Sequence, residues 1–410
     1  MLNKTYIILV PDTQQDLAKK LARFSGRIYS KVISTTFKLK KRKGIWLSKN
    51  NMEKLIKVYS QGFPLHSQTK QGIVQQYYQN LNSYFKSLDN HLNPKPPYRR
   101  KKYNKVIFKK SAIKFKDNLL TVSNGRNGKP IKINVPNLTK KPKYAELVYN
   151  HYQKRYRLHI VVEIKNKNIE YENNRVLAID LGQIHPMTTY DGKQVMIFNG
   201  GKLNSFIRYR NKELSRLQNK ISRCLKGSSR WNKLNCAKQK LLEKSRNKIM
   251  DVLKKYTSYL IDYCIRYKIS TIVAGEIKDI IDNIKYGHKI NQKLHQWVFK
   301  QLLDMIEYKA DSVGIDFELV DESYTSQKCP VCGSKNKPND RNYSCSNCNY
   351  KYHRDGVGAI NILKKYTVGS LTDKTDWLEG ILTLPYGIRY QSNSISCRTE
   401  WSVSAFKCAG

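Results

Sequence analysis

Four cysteines stand together in "CPVCGSKNKPNDRNYSCSNC", with Cys329 and Cys332 separated by twelve residues from Cys345 and Cys348. Each Cys-x-x-Cys turn presents two thiolates to one ion, and four thiolates complete the tetrahedron of a structural zinc site. Sulfur fills every position and leaves none open for substrate. The cluster therefore predicts a staple or a nucleic-acid contact, not a catalytic centre. His353 follows closely, but four cysteines suffice, so it reads as a packing or phosphate-contacting residue. The other five cysteines, Cys224, Cys236, Cys264, Cys397 and Cys408, are scattered, and the total of nine is odd. That usage suits a reducing cytosol better than a disulfide framework.

Three acids could do chemistry of another kind. Asp180 ends the apolar run "RVLAID", Glu276 ends "STIVAGE", and Asp355 opens the helical pattern "GVGAINILKK". In open α/β sheets ligands gather at the carboxyl ends of strands, so two such acids converge if their strands are neighbours. A third from a helix start would complete a site for two hard divalent ions, magnesium or manganese, clamping a phosphodiester at roughly 3.5–4 Å separation. Taken singly, each reads better as a strand-end turn or a helix N-cap than as a metal ligand. "HRD" followed by Asn361 is similar to the protein-kinase catalytic loop, but five residues intervene where that loop has four. No glycine-rich loop and no D-F-G accompany it, which excludes a kinase.

The elements that must position these residues come in two styles. "KTYIILVP" alternates as a strand, and residues 12–92 are mainly helical, with apolar periodicity in "DLAKKLARFSGRIYSKVI" and "IVQQYYQNLNSYFKSLDNHL". "NPKPPYRRKKYNK" marks a boundary, after which short alternating segments to about residue 170 predict an antiparallel β-domain. The first strand is expected to join that domain, leaving the helical block as an insertion. From about residue 171, buried strands alternate with long basic helices, which implies an α/β sheet with "IDFELVD" as its third strand. Residues 366–410 carry four basic and four acidic residues without clear patterning, and are expected to be poorly ordered.

The chain has 410 residues, 40% of them hydrophobic, enough for several folded domains. Lysine and arginine number 76 against 31 acids, a net charge of +45. An excess of that size calls for a polyanionic partner, and with no membrane-spanning apolar run the partner expected is nucleic acid. The amino-terminal apolar run is too short for a signal peptide and lacks a cleavage site.

"AIDLG", "VAGEI", "YTSQKCPVCG" and "CSNCNYKYHRDGVGAINIL" together resemble the TnpB family, transposon-associated RNA-guided DNA endonucleases akin to miniature type V CRISPR effectors; the motifs cover residues 175–365. The resemblance implies a multidomain α+β protein. A RuvC-like nuclease domain of RNase H fold (171–325 and 353–365) would be interrupted by a zinc ribbon (326–352). A barrel-like wedge β-domain (1–11 and 93–170) would precede it, carrying a helical recognition insertion (12–92). It further implies Asp180, Glu276 and Asp355 as catalytic ligands of two magnesium or manganese ions, and one zinc on Cys329, Cys332, Cys345 and Cys348. The implied partners are a guide RNA from the transposon end and double-stranded target DNA, in a prokaryotic cytosol. Arg354, Arg99, Arg100, Lys101 and Lys102 are candidate nucleic-acid contacts. "DLGQIHPMTT" departs from the family at Ile184, His185 and Pro186, where relatives often carry Asn and small apolar residues. With all three acids present, a nuclease is favoured over a guided DNA-binding repressor that has lost its catalytic acids. A zinc-ribbon RNA-binding protein would leave those acids unexplained, and a stand-alone junction resolvase would not need the amino-terminal third.

Overall fold

The computed structural model describes residues 2–89, 94–126, 128–164, 175–276, 298–338, 340–368, 384–392 and 394–398. The chain divides into two compact units, Met1–Lys165 and Asn166–Gly410.

In the first unit, β1 (Leu2–Leu9) is followed by three helices, α1 (Gln15–Lys43), α2 (Lys49–Tyr59) and α3 (Ser67–Asp89). Six short strands follow: β2 (Val106–Lys109), β3 (Ile113–Lys116), β4 (Leu119–Val122), β5 (Ile131–Asn134), β6 (Tyr144–Asn150) and β7 (Arg155–Ile164). β1 pairs antiparallel with β7 along its whole length, in a sheet ordered β1-β7-β6-β2, while β3, β4 and β5 form a second sheet. The helices are thus carried between two paired strands, and one apolar core runs from Leu21, Ile28 and Tyr77 to Phe108, Leu147 and Leu158.

The second unit is built on a seven-stranded mixed sheet. Its elements are β8 (Arg175–Asp180), β9 (Met187–Tyr190), β10 (Val195–Phe198), α4 (Gly201–Ser222), α5 (Ser229–Arg266), β11 (Ile269–Glu276), α6 (Phe299–Ser312) and β12 (Asp316–Asp321). They continue as β13 (Asn342–Ser344), β14 (Lys351–His353), α7 (Arg354–Val368), β15 (Tyr386–Tyr390) and β16 (Ile395–Arg398). Strand order is β12-β11-β8-β9-β10-β15-β16, with β12, β11 and β8 mutually parallel. The central strands are buried on both faces: α5 and α6 pack one side through Tyr256, Leu260, Leu302 and Ile306, and α7 packs the other through Ala359, Ile360 and Leu363. Double burial explains their continuous apolar runs.

Two expectations need correction. β9 and β10 supply a hairpin inside the sheet from two four-residue strands that are buried throughout and so show no alternation to declare them. The carboxy-terminal stretch is not featureless either. α7 runs to Val368, and β15 and β16 extend the sheet, β15 pairing parallel with β10. Ile388 is fully buried, and the Tyr390 hydroxyl donates to Asp251 Oδ2 at 2.6 Å. A single five-residue strand buries one or two side chains, too few for a pattern in sequence to reveal. Among the described residues no helix is long and apolar enough to cross a membrane.

Candidate metal and nucleic-acid site

Asp180 and Glu276 end neighbouring parallel strands. Ala274 of β11 lies opposite Ile179 of β8, so both acids emerge at the same edge of the sheet, where side chains stop being enclosed by core. β12 continues the row, with Asp321 opposite Glu276, and the next residue, Glu322, turns back toward it. A Cβ on Gly275 would lie 2.5 Å from Glu322 Oε2, so that carboxylate rests on bare backbone beside Glu276. Glu322 is a fourth acid at this edge. Sequence reasoning missed it, although an acid just past the third parallel strand is a signal that could have found it.

Asp355 comes from α7. The helix starts at Arg354, which puts Asp355 inside the first turn instead of at the cap. The capping group is His353, whose Nδ1 accepts the Asp355 amide at 3.2 Å. One helical turn onward, Gly358 lies on the same face as Asp355. A Cβ there would meet Asp180 Oδ2 at 2.8 Å and Cγ at 2.9 Å. The Asp180 carboxylate therefore lies against the helix that carries Asp355, and the close approach requires glycine.

Asp180 keeps some exposed surface, yet its carboxyl is held well above the usual carboxylate range. Desolvation is the largest cause, followed by the Asp355 and Glu322 charges, against partial relief from Arg341 and Arg354. A desolvated carboxylate facing two others is a set of hard oxygen donors that a divalent cation would stabilise. The donor chemistry fits magnesium or manganese. Arg341 already engages this set: its Nη1 lies 2.7 Å from both Oδ1 and Oδ2 of Asp355. Sequence reasoning missed Arg341 because one arginine among 76 basic residues has no distinguishing context. Arg354 is half-buried, and its amide donates to the Arg341 carbonyl at 2.8 Å.

His185, from the stretch that departs from the family pattern, is buried against His353, with ring centroids 5.4 Å apart. Burial pushes the pKa of His185 down and that of His353 to about 4, so both rings are neutral near pH 7. Two sets of three or more donor atoms lie within 4.8 Å of one another among the described residues: His185, His353 and Asp355, and the four cysteines. Asp180, Glu276 and Asp355 are not such a set. In the histidine set, His353 Nδ1 is engaged by an amide and Asp355 by Arg341, so as arranged it is a packed polar cluster.

The four cysteines form two matched turns. Gly333 (φ +76°) and Asn349 (φ +58°) each follow the second cysteine of a pair in the left-handed region, and their amides donate to the carbonyls of Cys329 and Cys345. Sulfur separations of 3.6 Å (Cys329–Cys348) and 3.5 Å (Cys332–Cys345) approach the roughly 3.8 Å edge of a tetrahedron with Zn–S near 2.3 Å. The Ser334 hydroxyl is the leading cause of a Cys345 pKa near 5, a direction that favours a thiolate ligand. The sulfur cluster docks on α7. Cys329, Tyr343 and Cys345 pack with Val357, and Asn361 Nδ2 donates to the carbonyls of Thr325 and Lys328, each at 2.6 Å. Lys364 adds a bond to the Pro330 carbonyl.

In the first unit, Arg99, Arg100 and Lys102 are exposed, whereas Lys101 turns inward. Its Nζ lies 4.3 Å from the Tyr29 ring centroid and its amide donates to Ser30 Oγ, so Lys101 ties the chain to α1 and does not face solvent as expected.

Two family models match the chain: "Probable transposase" over residues 159–281 and "Cas12f1-like, TNB domain" over residues 299–362. A TnpB-like protein of Methanocaldococcus jannaschii is 29% identical over 205 residues, 49% of this chain and 71% of that protein. The CRISPR-associated endodeoxyribonuclease Cas12f1 of Sulfoacidibacillus thermotolerans is 25% identical, over 53% of this chain and 52% of its own length. A TnpB-like protein of Acidianus two-tailed virus is 27% identical, over 50% and 45%. The chain thus spans about half the length of the latter two. Among solved structures, a Cas12f1–sgRNA–target DNA complex superposes with a TM-score of 0.58 at 16% identity, over 86% of this chain and 83% of that one. The fold is therefore of the mixed α/β, multidomain Cas12f kind.

Proposed function

We propose that the chain is a member of the TnpB family and, with it, an RNA-guided DNA endonuclease; two family models and a TnpB-like relative support the reading. On this reading it carries a guide RNA from the transposon end, recognises a short motif beside its target, and hydrolyses DNA phosphodiesters at the edge shared by β8, β11 and α7. The observation that carries the reading is the Asp180 carboxylate lying against Gly358, one turn from Asp355, with Glu276 ending the adjacent parallel strand. The seven-stranded sheet would be the RuvC-like domain, the cysteine segment its zinc-ribbon insert, and the first unit the wedge and recognition regions.

Asp180, Glu276 and Asp355 would hold two magnesium or manganese ions, which when bound would activate water and neutralise charge developing on the phosphodiester. The chain's own residues prepare that edge. Asp355 and Glu322 raise the electrostatic cost of an ionised Asp180 and so increase its demand for a counter-cation. His353 fixes the first turn of α7, while Arg341 neutralises the Asp355 carboxylate in the metal-free protein and must yield it to an arriving ion. The sulfur cluster, closed to substrate, anchors the same helix through Asn361 and Val357.

The test uses the RNA that copurifies with the protein, sequenced to define its guide, and a plasmid bearing the matching target beside a randomised flank. Asp180→Ala, Glu276→Ala and Asp355→Ala should each abolish magnesium-dependent cutting while sparing guided DNA binding. Undiminished cutting by all three would sink the proposal. Loss of guided binding in wild type would favour a protein that no longer uses RNA.

A further inference from the structure

α4 and α5 form a hairpin whose inner ends are embedded in the sheet's core and whose outer part touches no core at all. Leu203 and Ile207 are the buried residues of α4, and burial on α5 begins at Ser245. From Arg208 to Lys244 no residue is buried. Fifteen residues of α4 beyond Ile207 make an arm of about 22 Å at 1.5 Å per residue. What joins its two helices is a narrow seam of half-buried side chains, Leu214, Leu217 and Ile221 with Trp231, Leu234 and Leu241.

The arm carries twelve basic and two acidic residues between Arg208 and Lys244. That is about one basic residue in three, against 76 in 410 for the whole chain. Arg208, Lys212, Arg216 and Lys220 recur every fourth residue, all exposed, as a stripe along α4 with steps of about 6 Å. Like charges at that spacing destabilise a bare helix. One acid relieves the stripe, Glu213 at 3.9 Å from Arg216. A thin seam bearing ten excess positive charges is poorly arranged to stand free in water. It is well arranged to lie along a row of phosphates.

We propose that this arm is a docking surface for the phosphodiester backbone of a folded RNA, the RNA the protein carries. The inference rests on the guided-nuclease reading, because that reading supplies a resident polyanion. Target DNA is engaged only in passing and would leave the stripe uncompensated between encounters. A resident RNA would neutralise it throughout.

The test is a variant with Arg208→Gln, Lys212→Gln, Arg216→Gln and Lys220→Gln. It relieves the like-charge pairs and should keep wild-type helicity by circular dichroism. The probes are a labelled 30-base-pair RNA duplex and a DNA duplex of the same sequence, titrated by anisotropy from 50 to 200 mM KCl. Each phosphate that the variant leaves unneutralised lowers the salt exponent by about 0.7–0.9. With four phosphates left unneutralised, the fall in RNA affinity across that range becomes smaller by a factor of about 50–150. The DNA duplex should show a much smaller change. An unchanged RNA salt dependence overturns the proposal and leaves the nuclease reading intact. A loss on DNA equal to or greater than that on RNA also overturns it, and reassigns the arm to the target. Failure of the wild-type protein to bind either duplex would remove both this proposal and the reading beneath it.

Discussion

Adding one methyl group at Gly358 tests the geometry of the site without removing any acid. A Cβ at this position would stand 2.8 Å from Asp180 Oδ2, about 0.6 Å inside the 3.4 Å at which ordinary contact begins. The helix itself gains from the exchange, since alanine is better than glycine in a helix interior by about 1 kcal/mol. Crowding of a well-packed spot costs about 1–3 kcal/mol, less where a side chain can swing aside. Net stability should therefore change little, and the strain should be relieved by moving the Asp180 carboxylate. A displacement of about 0.6 Å exceeds the roughly 0.2 Å tolerance of metal–oxygen distances. Misplacement approaching 1 Å costs on the order of a hundredfold in rate. Gly358→Ala should thus weaken Mn2+ binding at least about tenfold, measured by paramagnetic resonance, and slow DNA cutting by about 10–100-fold. Gly356→Ala is the control: its Cβ would meet the Tyr352 ring at 2.6 Å, so it should lower the melting temperature without selectively weakening the metal. Wild-type manganese affinity and cutting in Gly358→Ala would refute the placement of Asp180 against α7.

Asp180→Asn should stabilise the protein in magnesium-free buffer with zinc retained. Because the folded carboxyl titrates above its ordinary 3.8, stability is lost as pH rises from there through the raised value. The gain should therefore appear in melts at pH 7 and vanish near pH 3.8. Arg341→Ala removes a charged competitor, one nitrogen shared between both oxygens, from Asp355 and should tighten Mn2+ binding by about tenfold in the protein free of nucleic acid; titration calorimetry giving equal or weaker binding would show that the contact does not oppose the metal. Purified protein should contain about one zinc per chain by elemental analysis, and Cys345→Ser should express poorly because a three-thiolate site forfeits metal-coupled folding. Asn361→Ala orphans two carbonyls, those of Thr325 and Lys328, and should cost about 2–4 kcal/mol in urea unfolding.

What the sequence made legible follows from how each residue declares itself. The cysteines are read from spacing because a metal turn is local, and Asp180 and Glu276 from the apolar runs they end. Asp355 reads as an acid at a helix start, but its neighbour takes the cap, a choice made by the rotamer of His353 that no pattern encodes. Glu322 offers a faint signal, an acid just past the third strand, and Arg341 offers none, because their roles depend on which element lies beside which. Glu322 matters only once β12 is known to flank β11, and Arg341 only once the hairpin of β13 and β14 folds back on α7. The outward arm is legible in part: its basic helices stand out, while its freedom from the core requires knowing where burial stops. The carboxy-terminal strands escape for want of length, since burying Ile388 leaves little trace in composition.

The position of the sulfur cluster between β12 and α7 has a mechanical consequence. The segment after β12 passes Glu322, closes the cysteine turns, and returns through β14 to His353 and Asp355 without a break in the described path apart from residue 339. Asn342 pairs with His353 across the β13–β14 hairpin, so the register that places Arg341 beside Asp355 also places His353 beneath the first turn of α7. A slip of one residue would turn both side chains to the opposite face of the ribbon. Four thiolates on one ion forbid such a slip, because both cysteine turns must present their sulfurs to the same point. Zinc held by these cysteines would act on the carboxylate edge by fixing register, while contributing nothing to the proposed reaction itself. Cysteine substitutions that retain partial folding should then lose manganese affinity at the carboxylates, nearly 1:1 with lost zinc, before the sheet itself melts.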